Sequence, residues 1–115
     1  GVLTKRSFIN ASPEIVENTL RGVVDSMAFI AQPENKPAVL KSLAKGLRLP
    51  NVEQAVEGYE SLPALYERRI YPWVDGVRNV IRLLGATNEK IRRLKAEDLV
   101  DDRFVKKLDK EGRFQ

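Results

Sequence analysis

The chain has 115 residues, of which 43% are hydrophobic and 31% charged, and its formal net charge is +4. This length suits one domain, and no apolar run approaches the ~20 residues of a membrane-spanning helix. Cysteine and histidine are both absent, which excludes disulfides, thiolate nucleophiles, histidine bases and the usual zinc sites. Because no other group of acid–base residues converges, we predict that the chain is not an enzyme and has no catalytic residue, cofactor or metal.

The first residues predict a short strand over Val2–Ile9. No second alternating run follows that could pair with it. Because a lone strand cannot satisfy its backbone hydrogen bonds, we expect this segment to pair with a sheet that the remaining sequence does not supply.

A long helix is predicted over Pro13–Ala31, with Ser12 as its cap. One arc of this helix is strongly apolar and a second flank is small or apolar, which leaves only a narrow polar strip. We therefore expect two sides of the helix to be covered. The apolar arc contains Val16, Leu20, Val23, Val24, Met27, Ile30 and Ala31, and the second flank contains Ile15, Thr19, Gly22, Ser26 and Phe29.

Shorter helices are predicted in the rest of the chain, each bounded by Pro, Gly or Asn. One begins after Asn35, and one begins at Asn51 and ends or kinks near Ser61 or Leu62 because of Pro63. The others lie at about 75–84, 87–95 and 101–112. The predicted fold is mostly α: a compact bundle of about five short helices preceded by one short strand, forming a single helical unit over residues 1–115.

Two charged segments are interpreted as surface rather than sites. Glu97, Asp98, Asp101 and Asp102 cluster tightly, but they lack the glycine and glutamate pattern of a calcium loop, so helix capping by Asp101 or Asp102 is favoured. The basic stretch 90–95 has no aromatic residue for base stacking. Residues 1–85 and 86–115 each carry a net charge of +2, so the excess is spread along the chain and we predict no nucleic-acid partner.

Aromatic residues next to arginines offer the best candidates for a ligand-facing group. They are Tyr66, Tyr71 and Trp73, with Arg68 and Arg69 beside them. Such side chains often line recognition surfaces. The favoured alternative is structural: the two tyrosines pack between helices, and the tryptophan covers the start of the fourth helix.

Three motifs in order resemble a known family. They are residues 4–16, from Thr4-Lys5-Arg6 through Asn10-Ala11-Ser12-Pro13-Glu14; Tyr71-Pro72 followed by Val74-Asp75-Gly76-Val77; and Glu97-Asp98-Leu99-Val100-Asp101-Asp102-Arg103-Phe104-Val105, closing at Leu108 and Gly112. The pattern is similar to the C-terminal region of the solute-binding proteins of ABC importers, of the nitrate/sulfonate/taurine and thiamine-pyrimidine-precursor type.

That resemblance implies a two-lobe α/β protein in which this chain is a C-terminal fragment beside the hinge. It implies a periplasmic or extracytoplasmic location, a small-molecule solute and an ABC permease as partners, and a role in delivering a small anion or heterocycle. Thr4, Lys5 and Arg6 are the positions nearest the implied binding cleft. The alternative function is a stand-alone helical protein–protein interaction module.

The chain by itself is expected to self-associate. The second flank of the long helix and the Val2–Ile9 strand would both be exposed, and exposed apolar surface and strand edges drive pairing between chains. Charged substitutions at Ile15 or Phe29 should then weaken self-association without unfolding the chain.

Overall fold

A computed structural model describes residues 1–114, and in that range the chain folds into seven α-helices with three 3₁₀ segments and no strand. The helical class predicted from the sequence is therefore confirmed. The α-helices are α1 (Arg6–Ala11), α2 (Pro13–Ala31), α3 (Lys36–Gly46), α4 (Val56–Leu65), α5 (Val74–Gly85), α6 (Glu89–Arg92) and α7 (Arg103–Lys110). The 3₁₀ segments are Pro33–Asn35, Glu53–Ala55 and Ala96–Leu99.

The predicted strand over Val2–Ile9 is wrong, because α1 occupies its second half. The carbonyl of Lys5 accepts hydrogen bonds from the backbone N–H groups of Phe8 and Ile9, at 3.0 and 3.1 Å. A helical turn thus satisfies locally the backbone groups that a lone strand would leave without partners. The residues before α1 have no regular secondary structure, and Leu3 is 97% exposed.

Helix boundaries follow the sequence signals closely in α2, which spans the predicted Pro13–Ala31. Ser12 occupies the N-cap position, but its side chain makes no cap hydrogen bond, so the predicted side-chain cap is wrong. In α4 the helix passes through Pro63 and ends at Leu65, beyond the predicted end. Proline removes one hydrogen bond and crowds the preceding turn, and α4 stops two residues later. The predicted cap before α4 is present, since the Asn51 side chain accepts from the backbone N–H of Gln54 at 3.1 Å.

The central core lies between α2 and α7, which are far apart in the sequence. Leu20 and Val24 of α2 pack against Val105 and Leu108 of α7, and Val24 and Leu108 are fully buried. Half-buried apolar side chains surround these four residues. They are Val16, Ile70, Tyr71, Phe104 and Phe114.

Two smaller clusters lie outside this core. Val39 and Ala44 of α3 are buried where α3 meets α4 and the segment Glu53–Ala55. At the other cluster, α5 packs against α6 and Ala96–Leu99. There an added Cβ on Gly85 would lie 2.9 Å from the Cα of Arg92, so only glycine permits this approach of α6. Most packed helix pairs are therefore close neighbours in the chain.

The shape is more open than the predicted compact bundle. The radius of gyration is 17.4 Å, whereas a compact domain of this length would have about 13 Å. The accessible surface is 9068 Å², against roughly 6,300 Å² for a compact monomer of 13.0 kDa. The excess of roughly 2,700 Å² means that several helix faces have nothing packed on them.

Two helices end in the same way but with different residues in the left-handed position. After α3, the N–H of Leu49 bonds to the carbonyl of Ala44 while Arg48 has φ 54°, and after α7 the equivalent residue is Gly112 with φ 76°. Both ends are Schellman motifs, in which glycine is the favoured left-handed residue. Arg48 is the one non-glycine residue with positive φ in the described chain.

We predict that Arg48→Gly stabilises the chain by about 1 kcal/mol, because a side chain in the left-handed conformation costs about that much. Gly112→Ala should destabilise it by a similar amount. Urea denaturation of the two variants and the wild type measures both changes. A loss of stability in Arg48→Gly would contradict this account of the α3 end.

Candidate functional site

The three predicted ligand positions do not form a pocket. Thr4 and Lys5 are exposed in the extended segment before α1, and Arg6 is the first residue of that helix. The Arg6 guanidinium donates a hydrogen bond of 2.6 Å to the backbone carbonyl of Asp98. This contact joins α1 to the segment Ala96–Leu99, so Arg6 has a structural contact within the chain.

Two open depressions mark the described surface. The larger, of about 350 Å³, lies between α1, the start of α2, and α7, with Ile9, Glu17 and Phe104 in its lining. The smaller, of about 220 Å³, lies beside Pro72 and Glu97. Ligand pockets usually enclose most of their ligand in an apolar cavity. These shallow depressions lack that enclosure.

Tyr71 belongs to a cluster that fastens the α4–α5 connector to α7. Its hydroxyl donates to Asp109 Oδ2 at 2.7 Å, and Arg69 donates to the same oxygen at 2.6 Å. These hydrogen bonds hold the pKa of the Asp109 carboxyl below its ordinary value. The hydrogen bond to Asp109, together with partial burial, raises the pKa of Tyr71. The ring of Tyr71 also packs at 6.2 Å from that of Phe114. The structural interpretation of Tyr71 is confirmed.

The other aromatic residues of the connector differ from each other. The Trp73 ring lies directly over Gly76, where an added Cβ would approach it to 2.5 Å, so the tryptophan covers the start of α5 as predicted. Its other face is open, and the side chain is 71% exposed. Tyr66 is 63% exposed, so the prediction that it packs between helices is wrong. Arg68 reaches inward and donates to the carbonyl of Val24 at 3.3 Å.

The acidic cluster is used in ion pairs and one cap. Glu97 pairs with Arg78, and Asp101 pairs with Arg103. Asp101 Oδ1 also accepts from the backbone N–H of Arg103 at 3.2 Å, which confirms Asp101 as a capping residue of α7. Asp102 occupies the N-cap position of α7, but its side chain makes no cap hydrogen bond. Within residues 1–114, no group of three acidic side chains is arranged to hold a metal ion.

An ion network runs along the edge of the α2–α7 core. Lys107 of α7 contacts Glu17 at 2.8 Å, Arg21 bonds Glu17 at 2.9 Å, and Arg21 reaches Glu111 at 2.6 Å. The hydrogen bond from Lys107, followed by that from Arg21, lowers the pKa of Glu17. The hydrogen bond from Arg21 likewise lowers the pKa of Glu111. Alternating charges thus clamp the last helix onto the first long one.

The second flank of α2 faces solvent along its whole length. Ile15 is 55% and Phe29 is 47% exposed, and Thr19, Gly22 and Ser26 between them are also exposed. The two hydroxyls donate back to carbonyls of their own helix, both at 2.7 Å. An added Cβ at Gly22 would meet nothing within 4 Å. The flank is therefore an uncharged, uncovered strip on the side of α2 opposite α7. Another helix or protein surface could approach it closely.

Comparisons with known proteins give no relative. No family model, no curated protein and no solved structure matches the chain. Among the described residues, no helix is both long and apolar enough to cross a bilayer.

We predict that Ile15→Glu changes the free energy of unfolding by less than about 0.5 kcal/mol, because the side chain makes few contacts within the chain. Leu108→Ala is the contrasting variant and should cost about 2–5 kcal/mol, because it empties part of the α2–α7 core. Circular dichroism during denaturation measures both. Unfolding of Ile15→Glu would show that the flank is already packed internally.

Acid should weaken the clamp between α2 and α7. The pKa of Glu17 is lowered from its ordinary 4.5 in the folded chain, so its stabilisation is present at neutral pH. It disappears as the pH falls below that value and through the folded pKa. Glu17→Gln should therefore lower the melting temperature at pH 7, and the difference from wild type should shrink toward pH 3. An equal difference between Glu17→Gln and wild type at pH 3 and pH 7 would contradict this account.

Proposed function

We propose that this chain is a helical part of a solute-binding protein that delivers a small organic or inorganic anion, or a heterocycle, to an ABC importer. The observation that carries the proposal is the order of the three resembling motifs across residues 4–112. Its partners would be the solute and the ABC permease, in a periplasmic or extracytoplasmic setting. The role is binding and presentation, without catalysis and without nucleic acid.

The uncovered flank of α2 supports this proposal. In a two-lobe protein, a helix on the outside of an α/β lobe packs one side on the lobe and another on its helical neighbours. In this chain α7 covers one side of α2, and Ile15 and Phe29 remain exposed on the opposite side. An α/β lobe would supply the apolar surface that the flank lacks.

The solute contacts of such a protein would come mainly from sequence other than this chain. Thr4, Lys5 and Arg6 would be the nearest positions to the cleft, with Thr4 and Lys5 exposed and Arg6 hydrogen-bonded to Asp98. The open depressions give a solute little enclosure. The chain would thus complete and cover a lobe, while the other sequence forms the pocket.

A stand-alone helical interaction module is the second candidate. The same flank favours it, because an uncharged strip with Gly22 at its centre can also receive a helix of another protein. The reading frame around the chain separates the two candidates. An upstream region of α/β sequence with a signal peptide supports the solute-binding protein, whereas a start codon directly before the codon of Gly1 supports the module.

Calorimetry tests the proposed role with the solutes that the resemblance implies. The isolated chain should give no micromolar binding of taurine, an alkanesulfonate, nitrate or an aminopyrimidine, because its depressions are open. The product of the full reading frame should bind one solute of these classes and melt at a higher temperature in its presence. Micromolar binding by the isolated chain would place the pocket within these residues. A full product that binds none of these solutes would count against the transport role.

A further inference from the structure

Two helical regions of the chain carry net charges of opposite sign and equal size. Residues 73–95, which include α5 and α6, carry six basic and two acidic side chains and so hold a net +4. Residues 49–67, which include α4, carry four acidic side chains and no basic one, a net −4. The two blocks cancel, so the overall +4 comes from the remaining residues, and the even division of the excess between residues 1–85 and 86–115 conceals these two local blocks.

Both charged regions are also uncovered and apolar. On α4, Glu57, Glu60 and Leu65 are exposed, and Leu65 is 69% accessible. On α5, Arg82 is exposed beside Leu83, which is 74% accessible. Exposed apolar residues bordered by charge mark interaction surfaces in soluble proteins. The basic region also includes exposed Trp73, Val80, Leu84 and Leu94, and the acidic region also includes exposed Val52 and Tyr66.

Part of the charge in these regions has no ion-pair partner within the chain, whereas Arg78, Arg92 and Arg93 of the basic region are already paired with carboxylates. The four glutamates of residues 49–67 form no ion pair with any basic group of residues 1–114. Arg82, Lys90 and Lys95 likewise form none with a carboxylate of those residues. The α4 and α5 helices are not among the extensively packed pairs of the chain. The four glutamates of the acidic surface and three of the six basic side chains of the other surface therefore have no ion-pair partner in residues 1–114.

We propose that a second copy of this chain covers both surfaces, with α4 of one copy lying on α5 and α6 of the other. The two surfaces are complementary in charge, and both are apolar between the charges. Their helices are also of similar length, with 10 residues in α4 and 12 in α5. Because each copy carries one acidic and one basic surface, a twofold arrangement satisfies both contacts at once.

The exposed area is sufficient for such a dimer. The chain exposes roughly 2,700 Å² more than a compact monomer of its mass. An obligate homodimer buries about 1,000–2,500 Å² per copy, and a standard complex about 800 Å². Two contacts between α4 and α5–α6 can therefore be made while the α2 flank remains free. This inference does not depend on the proposed transport role.

Two charge-reversed variants test the pairing directly. Glu57→Lys with Glu60→Lys reverses two charges of the acidic surface and brings the net charge of residues 49–67 from −4 to 0. Arg82→Glu with Lys90→Glu reverses two charges of the basic surface and brings residues 73–95 from +4 to 0. Wild type should be a dimer of 13.0 kDa chains at tens of micromolar in 150 mM salt by size-exclusion chromatography with light scattering. Each variant alone should raise the dimer dissociation constant about tenfold or more, because like charges then face each other.

Mixing the two variants should restore the dimer. In the mixed pair, one contact joins the native glutamates to the native bases and the other joins the new lysines to the new glutamates, so both are complementary. The control is Lys5→Glu with Lys110→Glu, which makes the same change in net charge as Arg82→Glu with Lys90→Glu, at two exposed residues elsewhere, and should leave wild-type association. Circular dichroism verifies that every variant keeps its helices.

Several outcomes would overturn the inference. Wild type that is monomeric at these concentrations would show that the two regions do not join copies. Unchanged association in both reversed variants, or no recovery on mixing, would exclude the α4 to α5–α6 pairing. If Phe29→Glu dissociates the dimer and the two charge-reversed variants do not, the contact between copies lies on the α2 flank instead. Failure of this test leaves the solute experiments on the full reading frame unaffected.

Discussion

The packing of α7 on α2 is the contact on which the rest of the structure depends. It brings the end of the described chain back onto its first long helix, through Val24 and Leu108, and both side chains are fully buried. The Glu17–Arg21–Glu111 network and the guanidinium of Arg68 lie at the edges of the same contact. The remaining packing is mostly between neighbours in the chain, so α3–α4 and α5–α6 form small clusters on either side of this core.

This arrangement explains why so much apolar surface remains uncovered. A core that involves one face of α2 leaves the opposite flank exposed, and the local clusters bury only one side of α4 and of α5. The three uncovered surfaces differ in character, which separates their proposed roles. The α2 flank is uncharged and suits an apolar lobe or helix, whereas the α4 and α5–α6 surfaces carry opposite charges and suit each other across two copies.

Much of the fold could be predicted from the sequence, because the signals for helices are local. The Ser12–Pro13 start fixed the first boundary of α2, and Asn51 capped the turn before α4 as its spacing indicated. The strand over Val2–Ile9 was mispredicted because a segment this short fits a strand or a helical turn equally well. The helix forms because it satisfies its own backbone hydrogen bonds.

The exposure of Tyr66 and the openness of the chain depend on tertiary contacts that periodicity does not specify. The opposite net charges of residues 49–67 and 73–95 can be read from the sequence, but the sums over residues 1–85 and 86–115 do not show them. Nothing in the sequence indicated that Arg6 would bond to the carbonyl of Asp98, a contact between residues 92 positions apart.

Amide hydrogen exchange at two protein concentrations tests most directly whether the α2–α7 core is the one self-sufficient part of this chain. The account predicts that the amides around Val24 and Leu108 are the slowest to exchange, and that their protection is the same in dilute and concentrated samples. The amides of α4, α5 and α6 should exchange faster in dilute solution and become protected as the concentration rises. Equal protection of all these helices in dilute solution would contradict the account, because it would mean that α4, α5 and α6 are stably held without a second body.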